Sequence, residues 1–248
     1  CTGMVHQMNR LDVVTNNMAN SDTTAYKKEG STSQSFDSVY GIKINDSSVN
    51  YIHQNIGRMS LGVKVGETYT DYGDGNLEET EQLYDMALSG KGFFAISYAD
   101  RNGNESVRYT RDGNFTVNSQ GVLVTKDGDF VLAEDGGLIN IPEGVKISVD
   151  ESGRITADGQ GKAPLQLVDF EDYNYLEKFG ENMYIAIDGA TTKDAQCKVY
   201  QGYLEASNVN VVTEMVDMIT ITRDYESNQK VIQTIDSTLE KSVALGRI

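Results

Sequence analysis

The chain has 248 residues, 39% of them hydrophobic and 8% aromatic, which is enough for a real core and too apolar for a disordered segment. Acidic residues outnumber basic ones 37 to 21, and the formal charge of -16 would repel a phosphate backbone or an anionic membrane surface, so nucleic acid is excluded as an expected partner. No run approaches the roughly 18 apolar residues of a membrane span, and the start lacks a basic region followed by an apolar stretch and cleavage site. The amphipathic pattern is already running at Cys1, so the sequence is expected to extend a short way upstream. Two cysteines, Cys1 and Cys197, are too few for a disulfide-stapled scaffold and are read as free thiols.

Both prolines and 20 of the 24 glycines lie between residues 31 and 200, which leaves the two ends free to be helical. In the first helix Met4, Met8, Leu11, Val14 and Met18 recur at three- and four-residue steps and form a narrow stripe. Residues 31–75 are rich in Ser, Asn, Gly and Tyr with no sustained period, and predict an extended connector that admits short hairpins. From 76 to 200 short apolar or alternating runs, Phe93 to Ser97, Phe115 to Val117, Val122 to Thr125 and Phe130 to Leu132, predict strands. Asn118-Ser119-Gln120-Gly121 and Lys126-Asp127-Gly128-Asp129 each place Gly where a hairpin turn can need a positive φ.

The last segment carries a longer stripe, Val212, Met215, Ile219, Thr222, Tyr225, Asn228, Ile232, Ile235, Leu239 and Ser242, with polar interruptions that suit packing among several helices better than a lone zipper. The expected fold is therefore α+β. N- and C-terminal helices (1–30 and 201–248) pair in coiled-coil fashion, and the connector (31–75) leads to a mainly antiparallel β domain (76–200). A helix pair of this length makes a thin core alone, so other subunits are expected to supply part of the burial.

No motif for chemistry survives inspection. Gly90-Lys91-Gly92-Phe93-Phe94-Ala95 matches the loose dinucleotide pattern but runs into a strand instead of opening a helix. Asp100, Asn102 and Asn104 begin like a calcium loop, yet Glu105 and Arg111 stand at its obligatory Gly and Glu positions. His6 and His53, the only histidines, have no neighbours at metal-ligand spacing. There is no Gly-x-Ser-x-Gly elbow, and the Asn45, Asn104 and Asn114 sequons carry no weight. No catalytic, cofactor-binding or metal-binding residue, no cofactor and no small-molecule substrate are expected.

Asn16-Asn17-Met18-Ala19-Asn20-Ser21-Asp22-Thr23-Thr24-Ala25-Tyr26-Lys27-Lys28 resembles the N-terminal signature of flagellar rod and hook proteins. Gln201-Gly202-Tyr203-Leu204-Glu205-Ala206-Ser207-Asn208-Val209 is similar to their C-terminal signature, and Asp85 to Leu88, Gly90 to Phe94 and Tyr109 to Phe115 are similar to their β-domain blocks. Ala25 departs from the family, which usually has Gly there, and Ala resists a positive φ, which argues against a left-handed turn at that position.

The resemblance implies a structural subunit of the basal-body rod that polymerises into a helical tube and transmits torque. Its implied partners are further copies of itself, other rod and hook proteins and the type III export apparatus. Export without a cleavable signal peptide to the basal body, outside the cytoplasm, is implied with it. A β domain of about 125 residues favours rod over hook, and the long connector favours distal over proximal rod. The competing reading, a β-rich binding or adhesin module with helical flanks, leaves both terminal signatures unexplained.

Overall fold

The computed structural model describes residues 2–43, 54–59, 62–100, 105–142, 145–157 and 160–245. Cys1, His53, Asn45, Asn102 and Asn104 lie outside them. The chain divides into two compact units, both discontinuous in sequence. One comprises Cys1–Ala19, Glu29–Asp71 and Asn210–Ile248, the other Asn20–Lys28 and Tyr72–Val209.

The first unit holds helix α1 (Thr2–Ala19), strands β1 (Glu29–Ser35), β2 (Val39–Lys43), β3 (Gln54–Met59) and β4 (Val63–Thr70), and helix α2 (Val211–Leu245). Helix α2 starts where Asn210 caps it, the Asn210 side chain accepting from the Thr213 N–H at 3.1 Å. Gln7 lies across from Asp224 and Asn17 across from Glu214, ten residues apart on each helix and in opposite order, so the helices run antiparallel. Carrying that register on by five residues brings Thr2 level with Gln229. Beyond that point α2 continues for about four turns with no helix of its own unit beside it among the described residues.

The stretch expected as a connector is largely paired strand. β1 runs antiparallel to β4, and β2 to β3. Hydrophobic period gives no hint of β1, whose sequence Glu29-Gly30-Ser31-Thr32-Ser33-Gln34-Ser35 carries no apolar side chain. Side chains complete it instead: at the irregularity between Ser31 and Ser33, the Thr32 hydroxyl donates to the Glu67 carbonyl at 3.0 Å and accepts from the Glu67 N–H at 2.9 Å.

The second unit is built of strands. They are β5 (Leu77–Glu79), β6 (Met86–Lys91), β7 (Phe93–Ala99), β8 (Glu105–Thr110), β9 (Phe115–Val117), β10 (Leu123–Thr125), β11 (Phe130–Val131), β12 (Ile147–Val149), β13 (Arg154–Ala157), β14 (Gln160–Pro164), β15 (Leu167–Phe170), β16 (Leu176–Phe179), β17 (Met183–Ala186), β18 (Thr192–Asp194), β19 (Gln196–Gln201) and β20 (Tyr203–Glu205). All pairings among the described residues are antiparallel. The main sheet runs β16-β17-β8-β7-β11-β10-β9, with β15 paired to β7 and β18 to β15. The continuous apolar run Phe93 to Ile96 is wholly buried because its two faces feed different cores. Phe94 and Ile96 pack with Leu123, Ile139 and Ile155, while Phe93 packs with Phe170 and Tyr184.

Both expected hairpin turns form. Asn118 accepts from the Gln120 and Val122 N–H groups, and Gly121 and Gly128 take φ of 79° and 98°. Pairs β5–β20 and β6–β19 close the unit by bringing residues 196–205 back to its first strands.

Gly113 is required by close approach, since a Cβ there would lie 1.5 Å from the Met86 carbonyl oxygen. Gly113→Ala is expected to destabilise this unit by roughly 3 kcal/mol, the upper range for overpacking. At Gly128, where a Cβ would meet nothing within 4 Å, Ala should cost only about 1 kcal/mol through its left-handed φ. Urea denaturation of the two variants checks the order; equal losses would contradict the contact.

Candidate assembly site

Residues 20–28 and 203–208 meet inside the second unit. The Ala25 N–H donates to the Glu205 carbonyl at 2.7 Å, and the Asn208 N–H to the Tyr26 carbonyl at 3.3 Å. The Asn208 side chain accepts from the Lys28 N–H at 2.7 Å and donates to the Gly73 carbonyl at 3.2 Å. Contrary to the expectation from its side chain, Ala25 does adopt a left-handed conformation, with φ of 57°. The strain is of order 1–2 kcal/mol, and it is held because Ala25 is buried and its N–H has one well-placed acceptor.

That turn carries Lys27 into the interior, where it is 0% exposed. Its ammonium donates to Glu205 Oε1 at 2.5 Å and to the Gly73 carbonyl at 2.8 Å. Glu205 also takes Arg111 Nη1 at 3.3 Å and the Gly75 N–H at 2.8 Å. Arg111 reaches Asp74 at 2.8 Å, the Gly92 carbonyl at 3.0 Å and the Gly90 carbonyl. The Gly90-Lys91-Gly92 motif is thus a carbonyl cradle for a guanidinium. Two cations and two carboxylates balance here, with Glu205 fully buried and Asp74 exposed. Burial pulls the Lys27 pKa below the usual lysine value, with Glu205 opposing. Burial also works against the Arg111 charge, but Glu205 and Asp74 outweigh it and its pKa is raised.

The other signature side chains flank this cluster. Thr23 donates to the Asn20 side chain at 3.2 Å, and Thr24 hydrogen-bonds Asp112, whose pKa burial raises. Thr23, Thr24 and Asp112 line a polar cleft of about 620 Å³. Gly202 takes φ of 79°, Ser207 accepts from the Val209 N–H at 3.2 Å, and Val209 is half-buried. Cys197 is half-buried, and burial pushes its thiol pKa up.

In the first unit Asn17 is fully buried and plays the part of a short strand. Its amide donates to the Glu29 carbonyl at 2.8 Å and accepts from the Glu29 N–H at 2.9 Å. The second amide hydrogen goes to Glu214 on α2 at 3.2 Å. Asn16 and Ala19 are exposed on α1.

Along α1, Met4, Leu11, Val14 and Met18 are half-buried, as is His6, and Met8 is exposed. On α2 the inward positions are Glu214, Met218, Ile221, Tyr225 and Ile232. Val212, Met215, Ile219, Ile235 and Leu239 are exposed, Ile219 by 53%. Of the stripe expected on α2, Tyr225 and Ile232 therefore turn toward the chain itself and the other eight toward solvent. Lys27, Arg111 and Glu205 stand inside the signature motifs, and the motifs alone assign them no role. The available signal was a charge of each sign inside blocks otherwise rich in small and apolar residues.

This arrangement defines a class: a chain whose N- and C-terminal signatures are stitched together and which shows a long apolar helix face. Three family models match: "Flagella basal body rod protein" over residues 2–27, "Flagellar hook protein FlgE/F/G D1 domain" over 87–157, and "Flagellar basal body rod FlgEFG protein C-terminal" over 200–245. The flagellar basal-body rod protein FlgG of Buchnera aphidicola subsp. Schizaphis graminum is 32% identical over 97% of this chain and 95% of its own length. The FlgG protein of Bacillus subtilis is 31% identical over 99% and 97%, and the FlgF protein of Caulobacter vibrioides 34% over 97% and 93%. The chain belongs to the flagellar basal-body rod protein family. Both stitches, Lys27 to Glu205 and Asn17 to Glu214, join residues matched by the first model to residues matched by the last.

Glu205 is the counter-ion of two buried cations, so Glu205→Leu should cost roughly 3–5 kcal/mol, the usual penalty for leaving a buried charge unpaired. Lys27→Met leaves Glu205 with Arg111 and should cost clearly less. Urea unfolding of both variants and of the pair measures the coupling, and equal single losses would contradict the shared role of Glu205.

Proposed function

We propose that this chain is a structural subunit of the flagellar rod that polymerises, with copies of itself and with other rod and hook proteins, into a helical tube carrying torque from motor to hook. The observation that carries this reading is the bare side of α2. Val212, Met215 and Ile219 face away from α1, and Ile235 and Leu239 lie past its start. A face of this length is an interaction site by default, and a single chain with no two-fold logic tends to make heterologous contacts that propagate. The seam comprises these residues together with Met4, Met8, Leu11, Val14, Met18, Tyr225 and Ile232, and the terminal helices pair in coiled-coil fashion within the tube.

Torque is carried by packed contacts, with no chemical step. The full-length likeness to relatives named FlgG favours the distal rod over the proximal rod. Delivery is through the flagellar type III apparatus. Between residues 31 and 200 the chain holds 27 acidic and 14 basic residues, so packing copies side by side brings like charges together, and raised salt should promote assembly by screening them.

Ile219→Asp should abolish incorporation into rods while leaving the circular dichroism of the monomer unchanged, because the side chain is exposed in the free chain. Each copy loses about 1.5–3 kcal/mol of apolar burial and gains a desolvated carboxylate. Thr213→Asp, also exposed and off the stripe, should be tolerated. Motility and electron microscopy of basal bodies read both variants. Full-length rods built from the Ile219 variant would remove the seam assignment.

A further inference from the structure

Residues Gly202–Asn208 hold to the rest of their unit almost wholly through polar contacts. Leu204 is their one buried apolar side chain. The backbone bonds are many: Thr80 and Glu81 N–H groups donate to the Gly202 carbonyl at 2.8 and 3.2 Å, and the Ala206 N–H donates to the Asn76 carbonyl at 2.8 Å. β20 pairs with β5 along Tyr203–Glu205. The Gly202 backbone itself, with its positive φ, supplies a joint between this segment and β19, whose Val199 belongs to the main core.

The left-handed non-glycine residues among those described are Ala25 and Glu81, with φ of 57° and 54°. Both donate their N–H to carbonyls of this segment, Ala25 to Glu205 and Glu81 to Gly202. The same segment brings the Glu205 carboxylate that neutralises Lys27 and shares Arg111 with Asp74. Strained backbone persists only where its surroundings over-determine it, and a buried cation persists only with its counter-ion. All of these conditions are met by seven consecutive residues.

We propose that Gly202–Asn208 is a clasp that closes on an already folded β core and, in closing, sets residues 20–28 in their final conformation. The core gains little from the clasp, because its apolar residues lie elsewhere. The N-terminal signature gains more, since Ala25, Tyr26, Lys27 and Lys28 each take a partner from it. A chain released N-terminus first therefore completes its N-terminal signature only after residue 208 is free. The inference rests on the fold and not on the polymer, so its failure would leave the assembly reading intact.

Native-state hydrogen exchange on the full chain tests it. Amides of Ala25, Thr80, Glu81, Ala206 and Asn208 should open together, at least roughly tenfold more often than those of Ala95, Leu123 and Leu132. Glu205→Gln should raise the opening of the first set roughly tenfold further and leave the second set unchanged. Gly75→Ala should do the same without touching charge, because its Cβ would lie 1.9 Å from the Ala206 carbonyl oxygen. Opening of the first set only with the core, independent opening of its members, or variants that speed both sets alike or neither, would overturn the clasp.

Discussion

Lys27 and Arg111 are both buried against one carboxylate, Glu205, and the joining of the second unit's first and last segments depends on that cluster. A desolvated ammonium or guanidinium costs several kcal/mol unless its hydrogens find acceptors and its charge finds a carboxylate. The acceptors come from Gly73, Gly90 and Gly92 carbonyls, and the charges from Asp74 and Glu205. Those groups lie far apart in sequence, so the site exists only when the first and last parts of the unit are in place together. Hydrophobic burial supplies most of the stability, but it is tolerant of shape. The ion cluster is not, and it fixes which strand ends lie side by side.

The first unit works on the opposite principle. Its helices share one buried polar tie, Asn17 with Glu214, and much of the apolar surface of α2 faces outward. Its strands pair through backbone and Thr32 rather than through a core. Such a unit leaves apolar surface uncovered in the single chain, whereas the β unit completes its own core.

Much of the α+β plan was legible in the sequence. Helical period marked both ends, and the strands Phe93 to Ser97 and Phe115 to Val117 with their Gly-bearing turns fell where expected. Strand β1 was not legible, because Glu29–Ser35 holds no apolar residue to carry a period-two signal. Ala25 was misjudged because local preference is a weak prior against a buried hydrogen bond. The stripe on α2 was visible as a pattern, but which side of it meets α1 was not, since period alone does not say which of two apolar faces turns inward. The Lys27 cluster was hidden for a further reason: a charged residue reads as surface until its partner, 178 residues away, is brought beside it.

Asn17 also determines how the two helices of the first unit respond to load. Sliding α2 along α1 by one turn, about 5.4 Å, would separate the Asn17 amide from Glu214 while the same amide stays clipped to the Glu29 backbone. The slide would break a hydrogen bond to a buried carboxylate, at roughly 1–3 kcal/mol. A purely apolar interface would creep under axial shear, because one greasy contact is much like the next. This pair is keyed instead, holding one axial position against a step of energy and transmitting force until the key gives way.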